Sequence, residues 1–287
     1  MSTKFLVPLD GSPRSESVFP WLRLLASAST PPVQTELIRC FQPVSSVYFL
    51  PDLDVAPSSY LSVETLEQMM LDYLKKKASE LDGLQVSVSA VLNDAANGIL
   101  EKAKTADLVV LATQGAGGLS RWLLGSVASR VAHGSAGPTL IVTARAVERP
   151  AKIEQIVVAV DGSQAAERAA AKAKDLAHQL QARLCLYQAV GQIEELHRVI
   201  AENNRQQLER AEAYMKSLAQ TLEGVEGLET EVRGVRGDTE IVKVAEEKGA
   251  DLLVMGSRGK GGLERALLGS QTERALRYSP CPVLIVP

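Results

Sequence analysis

The chain repeats itself at the scale of a domain. Val7-Pro8-Leu9-Asp10-Gly11-Ser12 returns 151 positions later as Val158-Ala159-Val160-Asp161-Gly162-Ser163. Asp107-Leu-Val-Val-Leu returns as Asp251-Leu-Leu-Val-Met, and Pro138-Thr-Leu-Ile-Val as Pro282-Val-Leu-Ile-Val, each 144 positions later. A period this long is a whole domain rather than one unit of a solenoid. The sequence therefore predicts two copies of one fold, domain 1 over 1–146 and domain 2 over 147–287, with the seam in 144–153 around Arg149-Pro150. The first copy is the longer in its middle, and the excess falls in 43–61, a stretch with three prolines. Its Tyr48, Phe49 and Tyr60 would form a lid or a partner surface.

Within each copy, short apolar runs rich in β-branched residues alternate with stretches of helical periodicity. Strands are predicted at 5–9, 36–41, 86–92, 108–113 and 138–143, and again at 156–160, 183–189, 230–235, 252–256 and 282–286. Helices are predicted at 16–28, 63–81 and 127–134, at 165–181, 193–222 and 271–279, and after Asp94 and Asp238 as caps. Ser12 and Ser163 read as N-caps of the first helix of each copy. The polar residues Asn203, Asn204, Gln206 and Gln207 interrupt the apolar stripe of 193–222, so that helix is expected to bend or to project past the sheet. Strict β-α alternation means right-handed crossovers and an α/β fold: two tandem doubly wound sheets of five parallel strands. Ligands of such sheets bind at the carboxyl ends of the strands, where the strand order reverses.

Composition narrows the class. A hydrophobic fraction of 46% with 23% charged residues is that of an ordinary globular chain, and no apolar run approaches the ~18 residues of a membrane span. A formal net charge of −3 without a basic stripe argues against nucleic acid as a partner. Cys40, Cys185 and Cys281 are isolated, and a strand begins by Lys4 with no room for a signal peptide before it; both features favour a reducing cytoplasm. His133, His178 and His197 fall on separate helices, so neither a metal site nor a Ser-His-Asp triad is expected.

The chemistry sits on the predicted ligand edge. Gly256, Gly259 and Gly269-Ser270 follow the fourth strand of the second copy with the spacing G-x2-G-x9-G-[ST]. The first copy has Ala112, Gly115 and Gly125-Ser126 in the same places. Glycines let the backbone turn and approach a ligand closely, and the amides opening the next helix favour an anion, with the Ser270 hydroxyl as a further donor. Asp161, at the end of the first strand, would repel phosphates and suits ribose hydroxyls instead. Arg258 or Lys260 would offset phosphate charge. Each piece also has a plain structural reading: Asp-Gly-Ser as a turn and cap, the glycines as turn formers, Gly-Ser as a helix start. It is the combination on one edge that points to a polyphosphate. No G-x4-G-K-[ST] and no G-x-G-x-x-G is present, which disfavours a Walker-type motor and a nicotinamide dehydrogenase.

V-P-x-D-G-S, D-L-[LV]-V-x-G, G-x2-G-x9-G-[ST] and the closing P-V-L-I-V together resemble the universal stress protein family, in tandem form over essentially the whole chain. The resemblance implies an adenine nucleotide alpha hydrolase-like, Rossmann-like fold, induction in stress, a cytoplasmic location, and bound ATP or a related adenine nucleotide (ADP or AMP), often with Mg²⁺. Residue by residue it implies Asp161 and Asp10 on ribose and the backbone at Ala189 and Cys40 on adenine, with Ala159, Val160, Pro8 and Leu9 lining the turn. Phosphates would meet Gly256, Arg258, Gly259, Gly269, Ser270, Gln271 and Thr272 in the second copy, and Gly115, Gly125 and Ser126 in the first. Ala112 departs from the pattern and puts occupancy of the first copy in question; Ala159 stands where the subgroup often has proline. Family members pair through the fifth strand, which implies a pseudo-twofold between the copies, in a monomer paired internally or a homodimer.

Three functions follow from this reading. The first is a nucleotide-responsive binding module with a protein partner not named by the sequence. The second is a slow ATP hydrolase or self-phosphorylating enzyme, in which Asp161 or Asp238 orients water or metal. The third is a scaffold whose sites stay empty.

Overall fold

The computed structural model describes residues 3–42, 62–113, 124–192, 198–235, 240–258 and 269–287. The chain divides into two compact units, residues 1–151 and 152–287.

Unit 1 is built on strands β1 (Lys4–Pro8), β2 (Gln34–Phe41), β3 (Gln85–Leu92), β4 (Leu108–Ala112) and β5 (Thr139–Val142). They lie in the order β3-β2-β1-β4-β5, all parallel. Between them run α1 (Pro13–Glu16), α2 (Phe19–Ala28), α3 (Val63–Ser79), α4 (Ala95–Ala103) and α5 (Ser126–Gly134). The central strands read as unbroken apolar runs because helices cover both their faces: Leu6, Val7, Ile38, Val110 and Ile141 are fully buried.

Unit 2 repeats the plan with β6 (Gln155–Ala159), β7 (Arg183–Gly191), β8 (Glu229–Val235), β9 (Leu252–Gly256) and β10 (Val283–Val286), in the order β8-β7-β6-β9-β10, again parallel. Its helices are α6 (Gln164–Leu180), α7 (Arg198–Thr221), α8 (Glu240–Glu247) and α9 (Ser270–Tyr278). These are the two five-stranded α/β sheets expected from the repeat. In each, the order reverses at the first strand, which places a crevice between β1 and β4 and another between β6 and β9.

One element departs from expectation. The single helix predicted over 16–28 is two, α1 and α2, because Pro20 lacks the N–H that would continue the ladder and its ring crowds the carbonyl of Glu16. Ala171 holds the equivalent position in unit 2, where α6 runs unbroken. In α7, expected to bend or project at its polar stretch, the helix is continuous over Arg198–Thr221, and Asn204 is itself buried, at 3% exposure.

The aspartates that head the fourth strands act at the end of each sheet away from the crevice. Asp107 Oδ2 accepts from the Lys4 N–H at 2.7 Å. Asp251 Oδ2 accepts from the N–H groups of Glu154 and Gln155 at 3.0 and 3.2 Å. Each ties the start of strand four to the start of strand one, so the repeated D-L-V-V motif is a register lock.

Candidate functional site

The site in unit 2 is assembled from three loop ends at the β6/β9 crevice. After β6 the chain turns through Gly162, whose φ of 79° is a conformation that favours glycine. Asp161 Oδ1 accepts from the Ser163 N–H at 3.0 Å. The Ser163 hydroxyl caps α6 by accepting from the Ala166 N–H at 3.2 Å, and donates to the Arg258 carbonyl at 3.3 Å. One side chain therefore starts a helix and bridges the strand order reversal. On the far side, Thr272 in the first turn of α9 donates its hydroxyl to the Gly256 carbonyl at 3.3 Å. Asp161, Ser163, Arg258, Gly256 and Thr272 form one connected edge.

The helix starting there is capped differently from others. The first-turn amides of a helix have no intrahelical acceptor. In α1, α3, α4 and α6 a Ser or Asp side chain caps them, whereas α5 and α9 open at Gly125 and Gly269 with no side-chain cap. Gly269 has φ −59°, open to any residue, and a Cβ built on it would meet only the Thr272 Oγ1, at 3.8 Å. Among the described residues nothing asks for glycine at 269.

Gly256 is different. A Cβ there would lie 2.9 Å from the Ala165 carbonyl carbon and 3.0 Å from the Ala166 nitrogen. Its backbone does not adopt a positive φ, so the glycine serves the close approach of α6 to β9. That is a packing role, one that the sequence reading did not give it. Alanines 165, 166, 169, 170 and 173 on α6 are all buried and keep that approach short. In unit 1, Ala112 carries a methyl at the equivalent position beside the interrupted α1 and α2.

Other residues on the edge divide by exposure. Ala189, at the end of β7, and Arg258 and Ser270 are exposed; Ala159, Asp161 and Gln271 are half-buried. Val160 and Leu9 bury their side chains and spend their N–H groups on the Tyr187 and Ile38 carbonyls, at 2.8 Å in both cases, so neither presents a side chain or an amide to a ligand. Thr272 is buried, with its hydroxyl turned to Gly256. Gly259 and Gly115 lie outside the described residues, as do Lys260, Asp238 and the 43–61 stretch.

Unit 1 has the same frame with a different hydroxyl bond. Asp10 Oδ1 accepts from both the N–H and the Oγ of Ser12, at 2.9 and 2.6 Å. Ser12 thus turns its proton on the aspartate, where Ser163 sends it to the neighbouring loop. Pro8 and Ser126 sit on the edge, half-buried and exposed respectively, and the Gly125 N–H donates to the Thr113 carbonyl at 2.8 Å. Cys40 is half-buried, its thiol pushed up to about 11 by burial, with the Asp94 charge adding and Lys102 opposing. Its Sγ faces the Ala95 carbonyl at 3.7 Å. Among the described residues no group of three or more His, Cys, Asp or Glu side chains is placed to hold a metal ion, and no helix is long and apolar enough to cross a membrane.

Sequence reasoning took Ser163 as a cap and missed it as the bridge to Arg258. No spacing signals that bond, because it spans 95 residues.

Comparison with known proteins agrees with this architecture. The chain is similar to a universal stress protein of Mycolicibacterium smegmatis, 27% identical over 291 residues that cover 98% of this chain and 96% of that one. Its fold matches the crystal structure of a universal stress protein from Archaeoglobus fulgidus with a TM-score of 0.73, covering 100% of this chain and 98% of that one at 21% identity. A universal stress protein solved in complex with cAMP matches 47% of this chain at 28% identity and a TM-score of 0.38. The family model for "Universal stress protein family" matches residues 1–143 and again 152–287, and with the two matches together covering nearly the whole length, the chain belongs to the universal stress protein family.

Proposed function

We propose that unit 2 binds an adenine nucleotide, ATP or its di- or monophosphate, and that the chain acts as a nucleotide-responsive binding module in the stress response. The observation that carries this reading is the connected edge at the β6/β9 crevice: Asp161 and the uncapped start of α9 lie on one hydrogen-bonded frame through Ser163, Arg258, Gly256 and Thr272. A phosphate tail would accept from the amides that open α9, which no side chain caps. Asp161, at the other end of the frame, suits ribose hydroxyls. Ala189, exposed near the end of β7, leaves room for a base. A Mg²⁺ ion would be held chiefly by the phosphates and water.

Unit 1 offers a weaker version of this site. Ser12 occupies an Asp10 oxygen with its hydroxyl as well as its amide, so the carboxylate there has more to give up before a ribose binds. Titration of the full chain with MgATP, followed by calorimetry, is expected to give one tight site per chain that Asp161→Ala removes and Asp10→Ala leaves in place. At ~100 times the dissociation constant the ligand adds about 2.7 kcal/mol to the stability of the unit it occupies. Absence of heat and of any thermal shift with ATP, ADP and AMP alike would overturn the reading.

A further inference from the structure

Behind the Asp161 turn, on the face of the sheet covered by α6 and α7, lie two buried polar atoms: Gln188 Oε1, which has no hydrogen-bond partner among the described residues, and Tyr214 Oη, which meets the Gly162 backbone and no side chain among them. Buried polar atoms left unpaired are rare enough to call for a missing partner such as a water or an ion. The corresponding place in unit 1 shows what satisfies it there.

The correspondence is fixed by register. Arg39 and Gln188 each follow the residue paired with the end of the first strand, Ile38 with Pro8 and Tyr187 with Ala159. Glu16 and Glu167 stand at the same distance after Asp10 and Asp161, and Tyr73 and Tyr214 at the same distance before Leu81 and Leu222. In unit 1, Arg39 is 3% exposed, donates from Nη2 to the Asp10 carbonyl at 3.0 Å, and sits 4.7 Å from the centroid of the Tyr73 ring. Tyr73 donates its hydroxyl to Glu16 Oε1 at 2.8 Å, and Lys77 Nζ reaches Glu16 Oε2 at 2.8 Å. Two cations, a phenol and a carboxylate satisfy one another.

Unit 2 keeps the phenol and the carboxylate, as Tyr214 and Glu167, and replaces both cations with uncharged residues, Arg39 by Gln188 and Lys77 by Leu218. Gln188 is 8% exposed. Tyr214, beside the Gly162 backbone, lines with Glu167, Asp175 and Leu218 a groove of about 540 Å³ between α6 and α7. Burial, with the charges of Glu167 and Asp161, pushes the Tyr214 phenol up to about 12, so it is neutral in the physiological range. The nearest basic residue of the groove, Lys174, is spent on the Thr221 carbonyl at 3.2 Å, as Arg23 in unit 1 is on that of Glu80.

We infer that unit 2 takes up a monovalent cation from solution at this place, held by Gln188 Oε1, Tyr214 Oη and the Glu167 carboxylate, where unit 1 carries Arg39 and Lys77. The donor set fits a single charge: one carboxylate with two neutral oxygens is too few anionic ligands for Ca²⁺, and transition metals prefer nitrogen or sulfur. Alkali ions and ammonium groups share this chemistry. The site lies behind the turn and stands whether or not a nucleotide binds in front of it.

The test uses full-length protein without nucleotide, unfolded thermally at constant ionic strength while tetramethylammonium chloride is exchanged for KCl, NaCl, NH₄Cl or methylguanidinium chloride. A saturable rise of at least about 3 °C is expected with a cation small enough to enter. A response to K⁺ or Na⁺ supports an inorganic occupant, and one confined to NH₄⁺ or methylguanidinium an organic one. Gln188→Arg supplies the charge internally and is expected to lose the response, and Gln188→Leu, which removes the ligand, to lose it as well. Equal midpoints in every salt overturn the proposal in favour of a water, and a response that survives in both variants places the ion elsewhere and overturns it too.

Discussion

A methyl group added at Gly256 would stand 2.9 Å from the Ala165 carbonyl carbon, whereas one added at Gly269 would meet nothing closer than 3.8 Å. The two glycines of the motif thus differ in what packing requires of them, and two substitutions separate packing from the proposed ligand role. Gly256→Ala is expected to cost about 1–3 kcal/mol through overpacking, seen as a lower urea midpoint for unit 2. Gly269→Ala should leave stability within about 1 kcal/mol of the parent yet weaken MgATP binding, because the new methyl stands at the opening of α9. Equal loss of stability in both would remove the distinction. A second residue sets the acid limit of unit 1. Glu36 is buried among Lys102, Lys4 and Ser89; burial works to raise its pKa, but the bonds from those three groups and the Lys102 charge more than offset it and hold the carboxyl at about 2, against 4.5. A depressed folded value means stabilisation that is complete above about pH 5 and lost as pH falls through 4.5 towards 2, about 3 kcal/mol in all for a shift of this size. Urea unfolding of Glu36→Gln across that range should lack this part of the decline.

Among the elements, α6 and α9 are set by their first turns, and Ser163 belongs to the start of one and the anchor of the other. Ser12→Ala and Ser163→Ala each remove a cap, at about 1 kcal/mol. Only Ser163→Ala also frees the Arg258 carbonyl, so nucleotide affinity in unit 2 is expected to fall in that variant alone; an equal effect of Ser12→Ala would show the bridge to be immaterial. The strands and most helices were legible in the sequence because their signals are local. Apolar β-branched runs mark buried parallel strands, and Ser12, Ser163 and Asp94 cap helices as their neighbours predict. What escaped was decided by contacts between distant segments. Pro20 is the local exception, a breaker inside the stretch read as one helix over 16–28. Asn204 looked like an interruption because polarity says nothing of a buried partner. The candidate edge was legible as a set of residues, and the hydroxyl bonds that join them were not, since a serine proton has several acceptors within reach and only the fold selects one.

Across the whole molecule, duplication has left two frames of the same topology with different contents. Unit 1 carries its own cations behind the Asp10 turn, Arg39 and Lys77, ties Ser12 to Asp10, and places Ala112 beside a broken helix. Unit 2 has uncharged residues behind its turn, an unbroken α6 drawn close to β9 by Gly256, and Ser163 turned to the adjoining loop. On the proposed reading unit 2 is the copy that receives the nucleotide, and this division predicts how the chain responds to ligand. Hydrogen exchange on the full-length protein with and without MgATP should show slowed exchange in the turn after β6, the first turn of α6 and the start of α9. The matching segments of unit 1, after β1 and at the start of α5, should change little at concentrations that saturate one site. Asp161→Ala should abolish the protection in unit 2 without transferring it to unit 1. Equal protection in both units would mean that neither Ala112 nor the Ser12 hydroxyl bond discriminates, and that the two copies have kept one function.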